Sequence, residues 1–282
     1  MLRLVSEGRA PRLIVLENVC GAITSHGGKD FAAISAAFQK AGYRFGAVVI
    51  DAALFVPHSR PRLFIIGVYG DVYIPPDLIG MGASAQWHPR ALRAVFDQLP
   101  ASTQLNWIWW RLPPPPLSNA RFADLIEDAP TGIAWHSPAE TERLLNMMSA
   151  LNRAKVEQAK AMGRRMVGTL YKRTRLDENG FKAQRAEIRF DDIAGCLRTP
   201  SGGSSRQLIM VINGNHIKSR LISSRETARL MGLPDHYILP EKYNEAYHLT
   251  GDGVVVPVVR YLAEHVFEPL LQANTQTWVA AA

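Results

Sequence analysis

Cysteine is almost missing from this chain: 282 residues contain only Cys20 and Cys196. Two thiols supply neither a disulfide framework nor a tetrahedral metal set, so a reducing compartment and no structural zinc are expected. Long apolar runs are missing too. None approaches the ~18 residues needed to span a bilayer, and the stretch Met1-Leu2-Arg3-Leu4-Val5-Ser6-Glu7 lacks the apolar core of a secretory signal. A cytoplasmic protein with no membrane partner follows by default. Acidic residues are scarce in one region, where residues 150–230 hold seventeen Lys/Arg against seven Asp/Glu. That region carries +10 of a net +7 and leaves −3 on the rest. Clustered positive charge attracts phosphate backbones, so nucleic acid is the first partner to consider; a solvated face or an anionic protein partner are the alternatives.

What is present is enough for a packed core. Hydrophobic residues make up 47% and aromatics 9%, compatible with one large or two modest domains. Leu13-Ile14-Val15-Leu16 is a continuous apolar run, the pattern of a parallel strand buried on both faces. Phe31, Ile34, Phe38 and Ala41 then recur at helical spacing, with Asp30 placed to cap the start and Gly42 to close the end. Gly46–Ile50 and Leu63–Val68 read as two further strands, and the turn between them carries Pro57, Arg60 and Arg62.

After Gly70 the texture changes to turn-forming residues, four prolines at 113 to 116, and tryptophans at 87, 107, 109, 110 and 135. These rings suit a small-domain core better than base-stacking platforms. Ser137-Pro138-Ala139-Glu140 is a capping box, and Leu144, Leu145, Met148 and Leu151 form a stripe behind it, predicting one helix over about 138–162. Residues 164–222 read as β-rich and basic, with strands at 186–190 and 208–212. Ser223-Ser224-Arg225-Glu226 is a second capping box, and Val258, Val259, Leu262, Val266, Phe267 and Leu270 mark an amphipathic helix over 256–271 that returns to the first layer.

Three segments carry chemistry. Glu17, in Leu16-Glu17-Asn18-Val19, sits one step past the first strand, at the crevice where open α/β sheets bind ligands. Alone it reads as a cap or loop carboxylate; there it can also hydrogen-bond a ring nitrogen as an acid. The order of strand, Glu-Asn-Val, Gly21, helix, Gly42-Tyr43, strand, then Val56-Pro57-x-x-Arg60-x-Arg62 and another strand resembles the C-terminal part of the cytosine-C5 DNA methyltransferases. The second segment, Gly195-Cys196-Leu197-Arg198 through Ser204-Ser205-Arg206-Gln207, is similar to the one that organises that family's target-recognition domain. A nucleotide phosphate loop is the rival reading, but the Lys-Ser/Thr ending is missing. The third, Arg220-Leu221 to Gly232-Leu233-Pro234 followed by Gly251-Asp252-Gly253, resembles the family's closing motif.

The resemblance implies a fold and a division of labour. The fold expected is α/β: later strands and helices of a Rossmann-like methyltransferase sheet, a small β-rich target-recognition domain, and a C-terminal helix returning to the sheet. Residues 1–70 would be catalytic, 71–212 would recognise DNA, and 213–282 would close back on the first part. Glu17 and Arg62 would engage a flipped cytosine, with Asn18 supporting Glu17 and Arg60 beside them. Asp252 and Gly253 would border S-adenosylmethionine. Arg198, Ser204, Ser205 and Arg206 would face double-stranded DNA. Lys172, Arg173 and Arg175 would make backbone or groove contacts, a solvated basic loop being the other reading. His58 stands where the family usually has Gln.

The family's thiolate nucleophile follows a proline, and neither cysteine here does; the Phe-x-Gly-x-Gly cofactor loop is also missing. In the family's sheet the Glu-Asn-Val strand has a neighbour on each side, and this chain supplies one, which leaves an exposed apolar edge. The chain is therefore expected to act as a portion or subunit of a methyltransferase, with an N-terminal partner bringing the cofactor loop and the nucleophile. A truncated DNA-binding remnant and a regulatory subunit are the alternatives.

Overall fold

The computed structural model describes residues 2–115, 117–176, 180–198 and 206–279. It divides into two compact units, one of Met1–Asp51, Pro61–Pro116 and Val258–Ala282, the other of Ala52–Arg60 and Leu117–Pro257. Among the described residues no helix is long and apolar enough to cross a membrane.

The first unit is built on three antiparallel strands, β1 (Leu13–Val19), β2 (Tyr43–Asp51) and β3 (Pro61–Tyr69), in the order β1-β3-β2. Leu63 to Val68 of β3 are buried without interruption, as a central strand requires. The parallel, doubly buried strand expected at Leu13–Leu16 is instead an antiparallel edge. Among the described residues it pairs only with β3, and Val15, Leu16 and Val19 are 38%, 38% and 53% exposed. Its apolar run is real, but the pairing to β3 is antiparallel and not parallel.

The Lys29–Lys40 helix lays Phe31 and Phe38 on this sheet, Phe38 stacking on Phe45 at 5.3 Å. Its N-cap is Gly28, at φ +89°, and not Asp30, whose carboxylate meets His26 Nδ1 at 2.9 Å. Residues 71–116, grouped with the recognition segment on sequence texture, belong to this first unit. Their tryptophans are core: Trp87 and Trp110 are buried, and Trp107 packs among Phe31, Phe45, Phe96 and Trp109. Segment 106–108 runs along the outer side of β2, with Phe45 N–H donating to Asn106 and Ile108 N–H to Phe45. The approach is so close that a Cβ on Gly46 would lie 1.8 Å from the Ile108 carbonyl oxygen.

The chain's end returns to this unit as expected. Tyr261 donates to the Pro113 carbonyl, and Asn274 clamps the Tyr73 backbone at 2.8 and 3.0 Å. The helix expected over 256–271 forms and runs on to Val279, its α-helical parts Val256–Leu262 and Glu268–Val279 joined without a break by a π-helical turn over Ala263–Phe267. A π turn winds more residues per turn and shifts the apolar stripe. Val258, Leu262, Val266 and Leu270 are buried, whereas Val259 faces out.

The second unit holds four antiparallel strands in the order β5-β4-β6-β7: β4 (Met166–Leu176), β5 (Lys182–Arg189), β6 (Leu208–Asn213) and β7 (His216–Leu221). This is the β-rich segment read over 164–222. The single helix expected over 138–162 is broken into Pro138–Asn146 and Ala150–Ala161. The Met147 carbonyl accepts from Ala186 N–H of β5 at 3.0 Å, and Ser149 caps the second helix, so sheet pairing captures the carbonyl that a continuous helix would use. Leu151 consequently leaves the stripe and is exposed. Both capping boxes, Ser137/Glu140 and Ser223/Glu226, form as read.

Candidate functional site

Glu17 lies within β1, not past its end, opposite Phe64 of β3; Arg62, the second residue of β3, lies opposite Val19. They are diagonal neighbours on adjacent strands, a separation long side chains can bridge. The Arg62 Nε meets Glu17 Oε1 at 2.8 Å, with the side chains 14% and 27% exposed. The pair is thus shielded but reachable. Arg62 Nη1 also donates to the Pro61 carbonyl at 3.0 Å. Asn18 is exposed, and its Oδ1 accepts from the N–H of Val19 at 2.8 Å. It therefore braces the following peptide and not a loop bearing Glu17. Cys20 follows directly; burial pushes its thiol above the ordinary value, against the opposing pull of Arg62.

Arg60 goes elsewhere. It is only 3% exposed, and its guanidinium donates to the carbonyls of Leu197 (3.1 Å), Gly251 (2.7 Å) and Gly253 (2.9 Å). The expected role beside the base is replaced by one inside the second unit, where a rigid multi-donor fork ties separate backbone segments together. Asp252 ends the Tyr243–Asp252 helix and is exposed. A Cβ on Gly253 would sit 2.9 Å from the Leu249 carbonyl oxygen, so close packing at this helix end is itself a reason for glycine.

The basic stretch is a strand, not a loop. Lys172, Arg173 and Arg175 lie on β4, and Glu187 of β5 takes Arg175 at 2.6 Å and Arg173 at 3.4 Å. The bond from Arg175 is the main reason the Glu187 carboxyl is held below its ordinary value. Arg198 is exposed, while Arg206 donates to Asn244 at 2.5 Å and lies over the Tyr243 ring at 5.7 Å. Lys172 and Arg206, with Arg143, border a groove of about 730 Å³ floored by Leu144 and Leu208. Ser204 and Ser205 lie outside the described residues.

Two arrangements were not legible in advance. Tyr171 donates to Gln207 Oε1, and the N–H of Gln207 donates to the Tyr247 hydroxyl at 3.1 Å, a chain of polar groups that starts on the basic strand itself and runs to the buried Gln207 and Tyr247. Burial pushes the Tyr171 hydroxyl far above its ordinary value. Arg220 and Glu226, six residues apart, form a fully buried ion pair. An unusual Arg–Glu spacing across a capping box was the one available hint.

Relatives place these features in a family. The family model for C-5 cytosine-specific DNA methylase matches residues 1–268. Type II methyltransferase M.BanI of Aneurinibacillus aneurinilyticus is 24% identical, over 94% of this chain and 73% of its own length. Type II methyltransferase M.MspI of a Moraxella species is 20% identical over 98% of this chain, which spans only 50% of that relative. Among solved structures, the S. pombe Dnmt2 methyltransferase superposes at TM-score 0.52 with 15% identity, covering 95% of this chain and 72% of that one. The Entamoeba histolytica methyltransferase EhMeth gives 0.53 with 12% identity, covering 95% and 68%; both likenesses concern the fold. With the family model matched across nearly its whole length, the chain belongs to the C-5 cytosine-specific DNA methylases.

Proposed function

We propose that this chain supplies the base-binding pair and the DNA-recognition part of a DNA (cytosine-5)-methyltransferase acting on double-stranded DNA. The observation that carries it is the Glu17–Arg62 pair, 2.8 Å apart and partly shielded. A cytosine turned out of the duplex presents a ring nitrogen and a carbonyl oxygen side by side. Glu17 would bind N3, and Arg62, already holding the carboxylate, would keep it in place while donating to the base. Arg198, Arg206, Lys172, Arg173, Arg175 and the serines at 204 and 205 would serve the DNA side, and Asn18 would steady the strand just beyond Glu17 through the Val19 N–H. Arg60 would act at one remove, through the backbone it holds.

S-adenosylmethionine is the methyl donor expected of the family. Among the described residues, the Gly251-Asp252-Gly253 step offers one exposed carboxylate and two carbonyls engaged by Arg60. That is a border and not a cradle, so no step is routed through the donor. The nucleophile is the second requirement. Cys20 is half-buried with a thiol pushed toward its protonated form, and neither cysteine follows a proline. We therefore assign the thiolate to polypeptide outside these 282 residues, with a separate N-terminal subunit as its bearer; the apolar edge of β1, which among the described residues pairs only with β3, is where such a subunit would add. The relatives do not themselves speak for a second subunit.

Purification of the chain from its source cells, identification of companions by mass spectrometry, and transfer of labelled methyl groups to duplex DNA test this. The expected result is a companion with a Pro-Cys segment, with methylation lost in Glu17→Gln and Arg62→Ala. Turnover by the lone chain would overturn the subunit assignment and leave the base-binding role standing. Full activity in both variants would overturn that role, and DNA binding without any methylation would identify a remnant.

A further inference from the structure

His58 is fully buried, two residues before Arg60 in the segment that joins β2 to β3. The N–H of Leu197 donates to its Nε2 at 3.2 Å, and its Nδ1 faces the Leu230 carbonyl oxygen at 3.2 Å. A peptide N–H can only donate and a carbonyl can only accept. The ring is therefore neutral, with its proton on Nδ1 and a lone pair on Nε2. An imidazolium would set an N–H against an N–H, and the opposite tautomer would misplace both bonds. Arg60 holds the other side of the same residue, through the Leu197 carbonyl at 3.1 Å. Alongside, Ser59 N–H donates to Ala194 and Ala194 N–H to Pro57, each at 2.8 Å, so the two segments run together as a short ladder. Both backbone polar groups of Leu197 are thus fixed by side chains, immediately before the exposed Arg198.

We propose that His58 is a positioning residue: as a neutral donor–acceptor ring it anchors Leu197, and through it the place at which Arg198 emerges. The anchoring is a property of the second unit. Its consequence for DNA rests on the proposed reading of Arg198 as a DNA-side residue. The position needs one donor and one acceptor on a planar group. A carboxamide offers both, a phenyl ring neither, and an ammonium only donors.

Nitrogen NMR of the full chain labelled in histidine gives the first readout, with His58 assigned by its loss in His58→Gln. The expected signature is a protonated Nδ1 and an unprotonated Nε2; an Nε2–H tautomer or an imidazolium at neutral pH would overturn the proposal whatever the variants do. Hydrogen exchange at the Leu197 amide is the second. Loss of its buried acceptor should speed exchange by about tenfold or more in His58→Phe and His58→Lys, while His58→Gln stays near the parent. Equal acceleration in His58→Gln and His58→Phe would sink the donor–acceptor role. Duplex affinity at fixed salt completes the set: His58→Phe and Arg198→Ala should weaken it alike, and their combination no more than either. If the tautomer and exchange come out as expected while the parent chain binds no duplex, the anchor stands and the DNA reading falls.

Discussion

Replacing Glu226 by alanine would strand a guanidinium in the interior of the second unit. Arg220 and Glu226 are both fully buried, with Nη1 and Nη2 meeting the two carboxylate oxygens at 2.7 and 2.6 Å. The same carboxylate accepts from the backbone N–H of Ser223 at 2.7 Å and of Glu127 at 2.8 Å, so it satisfies four donors. Breaking a buried pair by removing one partner costs ~3–5 kcal/mol, mostly the penalty of the remaining charge. Each orphaned backbone N–H adds ~1–3 kcal/mol where water cannot reach it. Glu226→Ala is therefore expected to lose at least ~4 kcal/mol, a large part of the ~5–15 kcal/mol by which folded proteins are stable. Removing the charge as well, in Arg220→Met/Glu226→Ala, should recover ~1–3 kcal/mol relative to the single variant, because the stranded charge is gone and what remains is the orphaned N–H groups and the Glu127 and Leu221 carbonyls that Arg220 served. Urea denaturation of the full chain measures both, with Trp135, whose ring lies 4.7 Å from the Arg220 guanidinium, as a local fluorescent reporter. A Glu226→Ala variant within ~1 kcal/mol of the parent, or a double variant as costly as the summed singles, would refute the reasoning.

Gly46→Ala should destabilise the first unit by ~1–3 kcal/mol or more, since the new Cβ meets backbone 1.8 Å away and no side chain can yield; an unchanged denaturation midpoint would contradict it. Glu187 has its carboxyl held below the ordinary 4.5, chiefly by the Arg175 bond. Its contribution is full above that value and lost as pH falls through the depressed one, so Glu187→Gln should flatten acid destabilisation by ~0.2–1 kcal/mol, measured by denaturation across the acid range. Cys20, its thiol raised above 9.0 by burial, should alkylate more slowly than free cysteine at mildly basic pH. Arg62→Ala, which removes the charge that lowers it, should slow alkylation further; acceleration read by peptide mass spectrometry would contradict the assignment.

Local signals carried far along this chain, and global ones did not. Both capping boxes, the Gly42 helix stop and the strands at 208–212 and 186–190 depend on neighbours a few residues away, and all of them formed. The direction and burial of β1 depend on which strand lies beside it, which an apolar run cannot specify. The break at Met147–Ser149 depends on a strand nearly forty residues downstream claiming one carbonyl. At the site, Glu17 and Arg62 were legible as a pair because their motifs recur in a fixed order. The destination of Arg60 was not legible, because an arginine one residue away from Arg62 looks like a second site residue until burial assigns it to backbone carbonyls.

Among the described residues the first sheet is covered along one flank and open along the other. Segment 106–108 and the Trp87 carbonyl already occupy backbone groups on the outer side of β2, while among the described residues β1 pairs only with β3. Any strand joining this sheet would therefore join at β1, and growth would be one-directional. Two copies meeting there edge to edge about a two-fold axis would use up each other's open side, ending at a pair instead of running on into a fibre.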